Sequence, residues 1–382
     1  INKKLKFNDL NIESIINLKE LVLKNNLINL NSYLPNLKKQ INFENHKIKI
    51  NYNNNQLEIN GNGEVLIESK PDTIDYRLAK NKNEFIFDSK INIKNSKLLI
   101  NFLNYEKQKN LDAQILIKGN YRKNNSMKFD LISLMEKNNK ILFKNINLDK
   151  DFKIISVDNF DFNYLNKKKI KNKLILNKDK SNYTIEGESF DASKLINKIM
   201  NNKDENSSLF SKLNCKINLK INKTYIDEVN FVNNLSGEFN FVNNEIKYLN
   251  LKSFFPNNKK ISLLIDTNNK QEKTTKLFTG YPKPLIKRYD FIKGFDEGYL
   301  DFYSIKKDGI SNSLLIIDDF KVKEVPVFAR ILSLASLQGI ADLLTGEGIR
   351  FTDFEMKFSN KKGLMTIEEM YAIGPAVSIL MK

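Results

Sequence analysis

The sequence predicts a mainly β protein, built of many antiparallel strands with a few short helices. Three observations predict it. Apolar and polar residues alternate with period two in segment after segment, the segments are separated by Asn, Lys, Asp and Gly, and helical spacing is rare. Strands of this kind carry one apolar and one wetted face, as an antiparallel meander requires.

Taken in order, Glu13 to Leu23 is ambiguous, and strand is favoured because Leu21, Leu23 and Leu27 to Leu30 fit a helical face poorly. Alternation is then clear at Ile48, Ile50 and Tyr52, at Leu57 and Ile59, at Leu111, Ala113, Ile115 and Ile117, and at Met127, Phe129 and Leu131. It continues at Phe160, Phe162 and Tyr164, at Tyr183 and Ile185, and at Cys215, Ile217, Leu219 and Ile221. Further on it recurs at Phe239 and Phe241, at Leu249 and Leu251, and at Ile261, Leu263 and Ile265. Asn243-Asn244 and the stretch Asn360 to Gly363 read as hairpin turns.

Helical signals are confined to three places. Asp191 to Met200 places Leu195, Ile196, Ile199 and Met200 at helical spacing, and a short turn is expected after Pro282 or Pro284. In residues 326–344, Pro326 suits a first helical position and Gly339 interrupts the run. Its apolar residues Phe328, Ile331, Leu332, Leu334, Leu337, Ile340, Leu343 and Leu344 leave hardly any polar face. A helix apolar nearly all round is normally buried, so the expectation is a plug packed across the sheet, with a membrane-contacting element as the alternative.

Composition narrows the function classes. The chain has 382 residues, a net charge of +17, one cysteine and one histidine. Arg occurs only at Arg77, Arg122, Arg288, Arg330 and Arg350, while Lys is spread over nearly every turn. That spread fits a coding bias better than a phosphate-binding face, so a nucleic-acid-binding surface is a third-ranked reading. Cys215 reads as a small apolar strand residue, and one cysteine allows no intrachain disulfide. His46 has no second His and no Cys at metal-ligand spacing and reads as a solvent-facing polar residue. The pairs Asp318-Asp319 and Glu368-Glu369 are adjacent on strands, which sends their side chains to opposite faces. Gly346-Glu347-Gly348 follows a helix and reads as a cap and turn, not a phosphate loop. Lys167 to Lys173 reads as a solvated strand face, or as an attraction for anionic head groups. The expectation is therefore no enzyme, no catalytic residue, no metal and no cofactor.

So little helix leaves no obvious layer over more than a dozen apolar strand faces. A second sheet, as in a sandwich or barrel, is one solution; a single sheet curled into a trough filled by an apolar guest is the other. The pattern alone favours neither.

The stretch from Phe320 to Leu380 is more specific. Asp319-Phe320, Val325-Pro326-Val327, Ala329 to Leu337, Gly339, Asp342-Leu343-Leu344, Gly346, Gly348-Ile349 and Phe351 follow one another in a recognisable order. Phe354, Phe358, Gly363-Leu364, Ala372 and Gly374-Pro375-Ala376 continue it, and Phe291 to Gly294 with Gly298-Tyr299-Leu300 precedes it. This block resembles the AsmA-like C-terminal domain of the bacterial envelope proteins related to AsmA, YhdP and TamB, in the version that follows a DUF3971-type region. The resemblance spans about ninety residues; elsewhere only the strand pattern agrees.

The resemblance implies an elongated, twisted antiparallel sheet curled into an apolar groove, as in the bridge-like lipid transfer proteins. It implies a DUF3971-like β-groove segment over 1–188 and an AsmA-like segment over 189–382. The function implied is transfer of phospholipid between inner and outer membranes, in the periplasm, with an inner-membrane anchor through an N-terminal helix missing from this chain, both of whose ends read as cut. The groove lining expected is Ile115, Ile117, Phe129, Ile217, Leu219, Phe239, Phe241, Leu249, Leu251 and Leu263. The rival is a structural scaffold of the cell envelope with a closed β-sandwich and no lipid.

Overall fold

The computed structural model describes residues 10–24, 30–38, 40–54, 56–81, 83–122, 127–151, 153–196, 213–289, 292–324, 345–346 and 348–382. They are mainly β, as the sequence predicts. Twenty-one strands belong to open antiparallel sheet and two make a small separate ribbon. The chain divides into two units: Ile1–Leu213 with Tyr225–Glu228, and Asn214–Thr224 with Val229–Lys382.

The first unit begins with β1 (Asn11–Lys24), β2 (Gln40–Asn53), β3 (Gln56–Leu66), β4 (Asp72–Asn81) and β5 (Glu84–Ile93). A ribbon of β6 (Leu98–Ile100) and β7 (Tyr105–Lys107) interrupts the meander. It resumes with β8 (Ala113–Arg122), β9 (Met127–Glu136), β10 (Asn139–Leu148), β11 (Ile154–Leu165), β12 (Lys171–Asp179) and β13 (Asn182–Asp191). Each sheet strand bonds to the next, with β5 pairing β8 across the ribbon insertion. The ambiguous N-terminal segment is thus a strand, along the free edge of β2.

Register decides what the alternation achieves. Directly opposed residues share a face. Ile48, Gly61, Tyr76, Ser89, Ile117, Ile132, Phe143, Phe160, Leu176 and Ile185 are successive partners from β2 to β13. A parallel row runs through Ile91, Ile115, Leu134, Ile141, Phe162 and Leu174. A third joins Leu78, Phe87, Gly119, Phe129, Ile146 and Val157. The opposite face carries Lys49, Asn60, Arg77, Asp88, Lys118 and Leu131 in equivalent succession.

Bulges correct two expectations. The run Met127, Phe129, Leu131 does not keep one face: the register between β8 and β9 shifts at Lys118/Gly119, so Leu131 opposes Lys118 and Ile132 takes its place on the apolar face. His46 is not solvent-facing but 2% exposed. A register shift between Glu44 and Lys47, beside Asn45 at φ 54°, turns its ring over Gly63, where a Cβ would lie 2.3 Å from the ring. Its Nε2 lies 2.9 Å from the Glu64 carbonyl oxygen and its Nδ1 3.3 Å from the Tyr76 hydroxyl. The glycine in the neighbouring strand was the available sequence signal.

The second unit contains β14 (Cys215–Tyr225), β15 (Phe231–Val242), β16 (Glu245–Phe254), β17 (Lys260–Thr267) and β18 (Lys273–Thr279). A seven-residue helix, Lys283–Tyr289, follows the expected prolines. Then come β19 (Phe295–Lys307), β20 (Ile310–Val322), β21 (Ile349–Lys361), β22 (Leu364–Ile373) and β23 (Ser378–Met381). From β15 to β23 each strand pairs with the next. The Asn243-Asn244 turn has φ of 51° and 67°, the left-handed pair that a two-residue hairpin needs and that asparagine tolerates. Cys215 is buried in β14, in keeping with an apolar strand role.

The expected plug, residues 326–344, lies outside the described residues, as do residues 197–200 of the expected 191–200 helix, of which 193–196 are helical.

Candidate functional site

The apolar face of the first unit is covered at one set of strand ends and uncovered elsewhere. The β6–β7 ribbon and the turn before β7 lie over the ends of β9 to β12: the Tyr105 and Tyr164 rings meet edge to face at 5.6 Å, and the Tyr164 hydroxyl donates to the Leu103 carbonyl at 2.8 Å. Beneath them Leu134, Ile141, Phe162, Leu174 and Leu176 are buried. Each such side chain contributes about 1.5–3 kcal/mol by leaving water.

Polar groups hold this cover in place. Asp191, 1% exposed, accepts hydrogen bonds from the side-chain amides of Asn104 at 3.0 Å and Asn166 at 2.7 Å, and from the Ser193 amide at 3.1 Å. Lys107 is fully buried and donates to the carbonyls of Lys94 at 2.9 Å and Ser96 at 2.8 Å. Burial draws its ammonium below the usual lysine range, while the Asp72 and Glu136 carboxylates work against that. Tyr105 donates to Glu136. Burial and that carboxylate push the Tyr105 phenol well up, and burial with Asp191 does the same for Tyr164. A network with this many satisfied partners fixes one arrangement of the ribbon.

Away from this cover the same face is only half-buried. Ile115, Ile117, Phe129, Ile132, Phe143 and Phe160 all retain solvent exposure. Aromatic rings cluster along it: Phe160 stacks on Phe162 at 4.3 Å, Phe143 meets Phe162 at 5.2 Å, and Phe87 meets Phe129 at 5.7 Å. The unbroken apolar row from Ile117 to Ile185 crosses six strands, about 24 Å at ~4.8 Å spacing. Of the expected lining residues, Ile115, Ile117 and Phe129 lie here together.

In the second unit Phe239, Leu249, Leu251 and Leu263 share one face through the β15–β16–β17 ladder. Phe241 joins them, its ring stacked on Phe239 at 6.1 Å. Ile217 and Leu219 are half-buried on β14. One end of this sheet is packed: Ile286 of the helix sits with Phe295, Leu300, Ile317, Phe320, Ile349, Phe354 and Met356 in a buried cluster. Sequence reasoning missed the ribbon cover, and anticipated the helix only as a short turn after Pro282 or Pro284. The two ribbon strands are three residues each, too short for a two-residue rhythm to show, and the helix is only seven residues.

Recesses on the charged side have a different character. One of about 440 Å³ is lined by Lys47, Lys49, Asp75, Arg77, Asp88 and Lys90 among others, and is a gap between long charged side chains. A second, about 540 Å³, lies over β16 to β20 and is of mixed character, with Leu264, Phe278, Leu314 and Ile316 beside Lys252, Lys276 and Asp301. Among the described residues no three His, Cys, Asp or Glu side chains gather as a metal site, and no helix is long and apolar enough to cross a membrane.

No protein-family model, curated protein or solved structure matches the chain.

Proposed function

We propose that the chain carries phospholipid between inner and outer membranes of a two-membrane cell, with acyl tails lying on the half-buried apolar lanes and head groups left in water. The supporting observation is the unbroken succession of apolar partners over six strands of the first unit, from Ile117 on β8 to Ile185 on β13, on a face that stays half-buried beyond the ribbon. A tail of roughly sixteen carbons costs about 12 kcal/mol to expose to water, at ~0.8 kcal/mol per methylene. A contiguous apolar surface offsets most of that without any bond being made or broken, so the reading needs no catalytic group. The Phe320 to Leu380 resemblance points to the same role, and to the periplasm as the place where it is carried out.

Organic extraction of the purified chain, followed by mass spectrometry, tests this. Co-purified phospholipid in near-stoichiometric amount is expected. A lipid-free preparation that also fails to take up fluorescent phospholipid from vesicles would select the scaffold reading instead.

A further inference from the structure

The end of the second unit away from its buried cluster has an unusual chemistry. There β19 and β20 are joined through Asp308 and Gly309, and β21 and β22 through Lys362 and Gly363, all at positive φ. The two tips are neighbours, because Ile310 pairs with both Lys307 and Lys361, and Lys361 pairs with Leu364. They project: a Cβ added at Gly309 or Gly363 would meet nothing within 4 Å. Four lysines, Lys306, Lys307, Lys361 and Lys362, stand there exposed with two carboxylates, Asp308 and Glu272. Lys307 is paired with Glu272 at 2.9 Å, whereas Lys361 and Lys362 have no ion pair among the described residues. Between these cations sit apolar side chains that a solvated turn would not carry. Leu364 is 73% exposed and Met365 48%, with Ile310 at 36% and Ile305 at 37%.

We propose that these two hairpin tips are a docking surface for an anionic lipid bilayer. Leu364 and Met365 are consecutive in a strand and point to opposite faces of the sheet. A folded partner would cover one face and leave the other wet, whereas a bilayer interface surrounds both. The flanking lysines match lipid phosphates, and their alkyl stems let the ammonium groups reach the head-group layer while the tips insert. One turn amide enters already paired: the Gly363 N–H donates to the Asn360 side chain at 3.2 Å. This goes beyond the lipid-carrying lane, since it concerns other residues and needs no lipid bound there.

The test is co-sedimentation of the full chain with phosphatidylglycerol and with phosphatidylcholine vesicles, at low and high salt. Binding to the anionic vesicles only, weakened by salt, is expected. Lys361→Glu with Lys362→Glu should lower partitioning about thirty-fold or more, at about five-fold per lysine. Leu364→Asp with Met365→Asp should abolish binding although every lysine remains. Lys90→Glu, on the charged face of the first unit, should leave it unchanged. All four tip positions are exposed, so folding is retained, which circular dichroism checks; Lys362→Gln alone, expected to cost about five-fold, is a milder second variant.

Either double variant binding like the unmodified chain overturns the proposal. So does equal binding to both lipids, or self-association through these tips, seen in sedimentation velocity, in place of vesicle binding. Lipid analysis of the same samples separates the two ideas. Lipid-loaded protein that ignores vesicles defeats docking alone, and lipid-free protein that binds them defeats the lane alone.

Discussion

Phe143→Asp distinguishes a lane completed by hydrocarbon from a protein-sealed interior. Phe143 lies mid-row, opposed by Ile132 on one side and Phe160 on the other, and is half-buried. A tail lying across the strands places roughly four methylenes over each ~4.8 Å strand spacing. At ~0.8 kcal/mol per methylene, full contact at one strand is worth about 3 kcal/mol, and one-sided contact about half of that. A carboxylate there should therefore reduce lipid occupancy about ten- to hundred-fold. Stability should fall by only about 1–2 kcal/mol, because a half-exposed carboxylate stays hydrated; a carboxylate in a sealed core would cost more than about 4 kcal/mol. Lys144→Asp, one residue along on the opposite face and exposed, is the control. Phosphate per mole of purified protein gives occupancy, and urea unfolding monitored by circular dichroism gives stability. Unchanged lipid content in Phe143→Asp, or a loss of stability beyond about 4 kcal/mol, would refute the reasoning.

Asp191→Ala removes the acceptor shared by Asn104, Asn166 and Ser193 inside the ribbon cover and should cost about 3 kcal/mol in urea unfolding, with faster amide exchange in β6 and β7. Asp296, held by Lys283 and Lys323 at 2.8 Å each, has its carboxyl drawn down to about 2. The folded state thus prefers the carboxylate, so its contribution is complete above the ordinary aspartate range near 4 and fades as pH falls through about 2. Asp296→Asn should destabilise by about 1 kcal/mol at pH 7, a deficit that closes towards pH 2 in parallel thermal melts. At the β15–β16 turn, Asn244→Gly should be neutral or stabilising by a few tenths of a kcal/mol, and Asn244→Val destabilising by about 1–2 kcal/mol, because φ of 67° suits glycine and not a β-branched residue.

Much of the fold was legible because a strand advertises itself in a local, two-residue rhythm. Ile48-Ile50-Tyr52, Phe160-Phe162-Tyr164 and Ile261-Leu263-Ile265 all lie in strands, and Asn243-Asn244 turns as its residue types require. The candidate lane was legible in part. Ile115, Ile117 and Phe129 do share a face, yet Ile132 and Phe143, which complete their row, sit beside bulges and left-handed residues where the rhythm slips. His46 was misplaced for the same reason, since a register shift against β3 turned it inward.

The order of residues by itself determined that this protein is antiparallel β with one oily and one charged side to its strands, because alternation and turn chemistry act over two to four residues. Which oily side chains stand next to one another, and where they are roofed over, was decided only by tertiary structure. Cross-strand register joins residues tens of positions apart, and the roof depends on Asp191 meeting Asn104 from 87 residues away. No local pattern encodes such pairings; they follow from which arrangement satisfies every buried polar group at once.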